Sequence, residues 1–277
     1  MAGERPRRAE LGGERATRSA VRRELVRAAG RRGSLEDLPG RGLRARGILR
    51  AVVGTLGTWF RAHGSHPEAV FVGDSLTAGE HASSRCRSYP ALVGRELGAD
   101  AGREVACRVT AVPGARVRDL AVLALPLASR VVVVEAGTND WLGYRAPGPW
   151  SATAPDDFAD AYRRLLDRVD DGRAVALLCL GIWAPTDGRE TDGLRGTEYD
   201  AIIRAACELR GGCFVSLAPV YDDRRCRGPA GRATPFGVSD AVHPNDRGHA
   251  AIAELLMDAL RGTRLSAAPA GITLATA

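Results

Sequence analysis

From Ala69 onward the chain alternates short runs of β-branched and aliphatic residues with stretches of helical apolar spacing, and no other feature constrains its fold as much. Val131-Val132-Val133-Val134 offers no polar side chain to solvent, so it reads as a strand covered on both faces, as in a parallel sheet flanked by helices. Five strands are readable: Ala69–Val72, Val105–Val112, Val131–Glu135, Ala174–Leu180 and Cys213–Leu217. Between them, Phe158, Tyr162, Leu165, Leu166 and Val169 share one helical face. Tyr199, Ile202, Ile203, Ala206 and Leu209 share a second, and Ile252, Leu255, Leu256 and Ala259 mark a closing helix that starts at Pro244-Asn245-Asp246. Such alternation, with right-handed crossovers, predicts a single α/β domain: a three-layer α/β/α sandwich around a five-stranded parallel sheet. Tyr221–Ser239, rich in Arg, Gly and Pro, is predicted to be a long loop, of the kind that is functional or disordered.

An open sheet of this type presents its chemistry at the carboxyl ends of its strands. Gly73-Asp74-Ser75-Leu76 follows the first predicted strand, Val112-Pro113-Gly114 ends the second, and Gly137-Thr138-Asn139-Asp140 follows the third. A last block, Asp240-Ala241-Val242-His243-Pro244-Asn245, precedes the closing helix. A serine hydroxyl becomes a nucleophile only when a base takes its proton, and His243 is the histidine whose setting suits that task. Asp240, three residues earlier, is placed to hold the imidazole tautomer; a helix N-cap cluster of Asp240 and Asn245 is the competing reading, and the two are compatible. Asp74 reads as a turn-fixing carboxylate rather than as the acid of a triad, and Asn139, taken alone, as a turn asparagine. The remaining histidines fall elsewhere: His63 and His66 before the first strand, His81 in the loop after Ser75, and His249 on the surface of the last helix. No HExxH, no two-histidine-plus-carboxylate spacing and no glycine-rich phosphate loop is present, so neither a metal nor a cofactor is expected.

Together these blocks resemble those of the GDSL or SGNH hydrolase family, over about Glu68 to Leu260, with Ser75, Gly114, Asn139 and His243 as the matching residues. They do not form a GxSxG elbow, because Thr77 stands where the second glycine belongs. The resemblance implies a flavodoxin-like strand order and a serine esterase: Ser75, His243 and Asp240 as the catalytic set, with an oxyanion hole of the Ser75 and Gly114 N–H groups and the Asn139 side chain. It implies a small-molecule, glycan or lipid ester as substrate. Acyl transfer to a sugar or other alcohol through the same acyl-enzyme is the alternative, and a non-catalytic binding module lies outside both. Trp141 and Trp183 are candidates to line the acyl or alcohol pocket, or else simply pack core edges.

The resemblance is silent on the amino-terminal region. All 39 basic residues are Arg, a sign of coding bias, and the first 50 positions hold 14 of them against 6 acids, which leaves the rest of the chain at about −2 of the +6 total. Residues 1–66 are therefore expected to form a disordered Arg-rich tail with a short apolar segment at 48–60, followed by the hydrolase domain at 67–262 and a carboxyl-terminal tail at 263–277. Weak association of the tail with anionic membrane surfaces is the partner it implies; a near-neutral domain implies no specific nucleic acid, and a monomer is expected. Without a small-residue cleavage pattern after residue 60 a cytoplasmic location is favoured, with secretion or membrane association as the alternative. Six cysteines lack CxxC spacing and leave the compartment open; Cys179 reads as a buried thiol, and Cys207 and Cys213 are placed to bridge a helix end to the next strand.

Overall fold

A computed structural model describes residues 68–122, 129–144, 151–170, 172 and 174–267. The expected tail at 1–66, its apolar segment at 48–60 and the end of the carboxyl-terminal tail lie outside those residues. The chain opens with β1 (Ala69–Gly73), α1 (Ser75–Ala78), α2 (Tyr89–Ala101), β2 (Cys107–Ala111), α3 (Val117–Ala121), β3 (Val131–Glu135) and α4 (Thr138–Leu142). It continues through α5 (Pro155–Val169), β4 (Ala176–Leu180), a hairpin of β5 (Glu190–Thr191) and β6 (Leu194–Arg195), α6 (Gly196–Glu208) and β7 (Cys213–Val215). Then follow α7 (Ala218–Asp222), a second hairpin of β8 (Ala233–Thr234) and β9 (Gly237–Val238), and α8 (Asp246–Ala267).

The five longer strands form one parallel sheet in the order β2-β1-β3-β4-β7. Since β1 sends its connection to one side and β2 to the other, the order reverses between β1 and β3, and their carboxyl ends flank the crevice where such sheets bind ligands. Side chains alternate across the sheet. Phe71, Val133, Leu178 and Leu180 pack on one face with Tyr89, Val93 and Leu97 of α2 and Ile252, Leu256 and Leu260 of α8. Val70, Val72, Val132, Val134 and Cys179 pack on the other with Val117 and Leu120 of α3, Phe158, Tyr162, Leu165 and Leu166 of α5, and Tyr199 and Ile203 of α6. The result is the predicted three-layer sandwich.

Several local readings change. β2 is shorter at both ends than Val105–Val112, as suits an edge strand whose Arg108 faces solvent. Leu209 lies beyond the end of α6 and is 83% exposed rather than on its apolar face. The segment expected as a long loop after Tyr221 carries a 3-10 turn at Arg224–Cys226 and the β8–β9 hairpin. α8 runs five residues past the boundary expected at 262. Cys207 and Cys213 are unbridged, and all six cysteines are free. No described helix is long and apolar enough to cross a membrane.

Candidate active site

The tight exit from β1 places Ser75. A Cβ on Gly73 would stand 2.1 Å from Thr77 Oγ1 and 2.4 Å from Glu135 O, so the approach of β1 to β3 admits only glycine there. Asp74 caps α1, its Oδ1 accepting from the Leu76 N–H at 3.1 Å, which is the turn-fixing role read from the sequence. Behind it, Glu135 Oε2 accepts from the Asp74 N–H at 3.3 Å and from Thr77 Oγ1 at 3.0 Å, while Tyr89 OH lies 2.6 Å from Thr77 Oγ1. Burial pushes both the Asp74 and Glu135 carboxyls up, and for Asp74 the neighbouring Glu135 charge adds to the effect. Two buried carboxyls in one network cannot both stay ionised cheaply. As the first residue of a helix, Ser75 also has a backbone N–H without an intrahelical acceptor.

His243 arrives from the loop between β9 and α8. Ser75 Oγ lies 2.9 Å from His243 Nε2, and His243 Nδ1 lies 2.8 Å from Asp240 Oδ2. Asp240 Oδ1 accepts from the Val242 and His243 N–H groups, each at 2.8 Å, so the carboxylate is fixed by the backbone of the residue it orients. Asn245 anchors the loop, its Nδ2 donating to the carbonyls of Arg225, Arg227 and Gly228 while its Oδ1 accepts from the Arg247 and Gly248 N–H groups at the start of α8. In this block Asp240 faces the imidazole and Asn245 caps the helix. Burial disfavours charge on His243, but the hydrogen bond and charge of Asp240, with Glu80 and Asp74, raise its pKa above the usual value. Partial burial of Asp240 alone would favour protonation, yet the hydrogen bonds and charge of His243 keep its carboxyl well below the carboxylate range.

Gly114 sits in a left-handed turn, φ +74°, beyond β2. Asp140 holds the following helix against the site by accepting from the Val117 N–H at 2.9 Å. Asn139 is buried beside them, but not as an idle donor: its Nδ2 donates to Asp74 Oδ2 at 2.8 Å and to Ala115 O at 2.9 Å. Both amide hydrogens are thus engaged, and donation to an oxyanion requires Asn139 to release one of these partners. Trp141 and Trp183 are 4% and 3% exposed and belong to opposite core faces, as the core-packing reading has it. Trp141 Nε1 donates to Leu194 O, and Trp183 Nε1 to Val242 O at 2.8 Å, which ties the histidine loop to the end of β4.

Three residues near the reacting atoms were missed by sequence reasoning. Glu80 Oε2 lies 3.6 Å from His243 Nε2. His81 is buried with its ring 4.6 Å from that of His243, and its Nδ1 accepts from the Asp240 N–H at 3.1 Å. Glu80, His81 and His243 thereby bring three metal-capable donors together, which no spacing in the sequence foretells. His249, expected at the surface, is fully buried between Tyr89 N–H and Glu80 O, and burial lowers its pKa to about 4. Its spacing with Ile252, Leu256 and Leu260 was the available signal.

The profile of the GDSL-like Lipase/Acylhydrolase family matches residues 71–251. Among solved structures, a variant of an acetyl-xylooligosaccharide esterase from Geobacillus stearothermophilus aligns over 71% of this chain and 95% of its own, at 20% identity and a TM-score of 0.51. An alpha/beta hydrolase enzyme from the metagenome of Lake Arreo, Spain, aligns over 70% of this chain and 94% of its own, at 19% identity and a TM-score of 0.52. At such identities these two show a shared fold. No curated protein sequence gives a significant match.

Proposed function

The chain belongs to the GDSL-like Lipase/Acylhydrolase family and is an ester-bond hydrolase, and from that premise we propose that it works through an acyl-enzyme on Ser75 with His243 as base and Asp240 as its orienting carboxylate. The contact between Ser75 Oγ and His243 Nε2 at 2.9 Å, backed by the Asp240 pair, carries the reading. His243 Nε2 takes the Ser75 proton as Oγ attacks the ester carbonyl, and Asp240 stabilises the imidazolium that forms. Negative charge on the carbonyl oxygen is met by the N–H groups of Ser75 and Gly114, joined by Asn139 once it exchanges Ala115 O for the oxyanion. The same imidazolium protonates the departing alcohol. Water then enters, gives its proton to Nε2 and attacks the acyl carbon, and the proton returns to Ser75 as the acid leaves.

Acetylated sugars are the substrate class to try first, since acetyl-xylooligosaccharide and acetyl xylan esterases stand among the proteins of similar fold. A p-nitrophenyl ester series of increasing acyl length, run on the wild type and on Ser75→Ala, tests the proposal. Turnover is expected for the acetyl ester and abolished in the variant; equal turnover in the two proteins would refute the role of Ser75.

A further inference from the structure

We propose that Glu80, His81 and His243 form a reversible inhibitory site for a zinc-class divalent cation. One donor atom from each of the three side chains lies within 4.8 Å of the other two, and Glu80 Oε2 stands 3.6 Å from His243 Nε2. Two imidazoles and a carboxylate make up a donor set that suits Zn²⁺, whereas Mg²⁺ and Ca²⁺ require oxygen ligands in larger number.

A separate observation points to the same ligand. The Asp240 carboxylate lies between the two rings, Oδ2 2.8 Å from His243 Nδ1 and Oδ1 3.5 Å from His81 Nδ1. A carboxylate behind Nδ1 fixes the tautomer of a metal-binding histidine and raises the basicity of its other nitrogen, as Asp240 does for His243 while its backbone N–H holds His81. The backbone of His81 is also held at φ +69°, in the left-handed region that strains a non-glycine residue and that is retained chiefly at functional sites. In the metal-free protein, His81 Nδ1 accepts the Asp240 N–H, so its proton resides on Nε2. Binding requires a His81 ring nitrogen to exchange its proton or its Asp240 partner for the ion. His243 contributes the same Nε2 lone pair that faces Ser75 Oγ, so an ion held there deprives the serine of its base. Metal occupancy and ester hydrolysis are mutually exclusive. The loss of activity rests on the esterase reading, but the binding itself does not.

Titration calorimetry of the full chain with ZnCl₂, paired with Co²⁺ absorption spectroscopy, tests the site directly. Expected are one site with a tetrahedral Co²⁺ spectrum, reversed by EDTA, and binding weaker by on the order of 10- to 100-fold in Glu80→Gln and in His81→Asn, where Asn tolerates the left-handed backbone. No binding at millimolar Zn²⁺, or an isotherm unchanged in both variants, overturns the proposal. In parallel, hydrolysis of p-nitrophenyl acetate is expected to fall with Zn²⁺ occupancy, to return with EDTA and to ignore Mg²⁺ and Ca²⁺. Full hydrolysis at saturating Zn²⁺ overturns the inhibitory role. A chain that hydrolyses no ester yet gives the variant-dependent isotherm supports the metal site and refutes the esterase reading instead.

Discussion

The two halves of the candidate site are built differently. Ser75, Gly114 and Asn139 stand at strand ends, and Asn139 is locked into a buried network of Asp74, Thr77, Tyr89 and Glu135 that surrounds the Ser75 turn and joins β1 to β3. His243 and Asp240 stand in a loop that reaches the sheet through a few side-chain anchors, chiefly Trp183 and Asn245. Ser75 is therefore part of the fold, and His243 is fastened onto it. Substitutions in the first half should disturb stability along with rate, and those in the second should cost rate while leaving the fold nearly intact.

The sharpest probe of that contrast is Asp240→Asn, expected to lower kcat by on the order of 10⁴-fold by favouring the wrong imidazole tautomer, with a Tm within a few degrees of wild type. A nearly unchanged kcat would make some other acceptor the orienting group. Asn139→Ala comes next, with kcat down by on the order of 10²- to 10³-fold and KM little changed. It also leaves Asp74 Oδ2 and Ala115 O short of a donor, so a lowered Tm is expected alongside. A loss of kcat with no loss of Tm would break the comparison.

Asp200 tests the strand-end half through pH. Its Oδ1 accepts from the Ile182 N–H just beyond β4, and burial raises its carboxyl from 3.8 to about 6. A carboxyl whose folded pKa lies above the unfolded one contributes stability fully below the unfolded value and loses it as pH rises through the folded value. The protein should thus lose up to about 3 kcal/mol from this group between pH 4 and 7. Asp200→Asn, which keeps the acceptor, should raise Tm at pH 8 and not at pH 4; equal effects at both would remove the charge from the explanation. The smallest expected effect belongs to Trp183→Phe, which keeps the ring against Tyr221 but loses the bond to Val242 O. A fall in kcat of roughly 10-fold, from a displaced loop, with Tm nearly retained, is what the fastened-loop picture requires.

The same division decides what could be read from the sequence. β3 was legible to the residue because Val131–Val134 is apolar on both faces, and the strand-end blocks follow their strands at once. Asp240 and His243 were legible because three residues of turn suffice to bring carboxylate and ring together. Glu80 and His81 were not, since their approach to His243 depends on how the loop after α1 meets a loop more than 150 residues further on. Nor was the engagement of both Asn139 hydrogens, which depends on where the Ala115 carbonyl comes to rest after β2. The tryptophans stayed open between two readings for a related reason: residues just past strand ends belong to either the pocket or the core, and only packing decides between them.

Trapping and mapping the acyl-enzyme tests the central claim most directly. Intact-mass and peptide mass spectrometry after brief exposure to a fluorophosphonate probe, and to p-nitrophenyl acetate quenched in acid, should show a single adduct on Ser75. The adduct should vanish in Ser75→Ala and form far more slowly in His243→Ala. An adduct on another residue, or labelling indifferent to His243, would contradict the account.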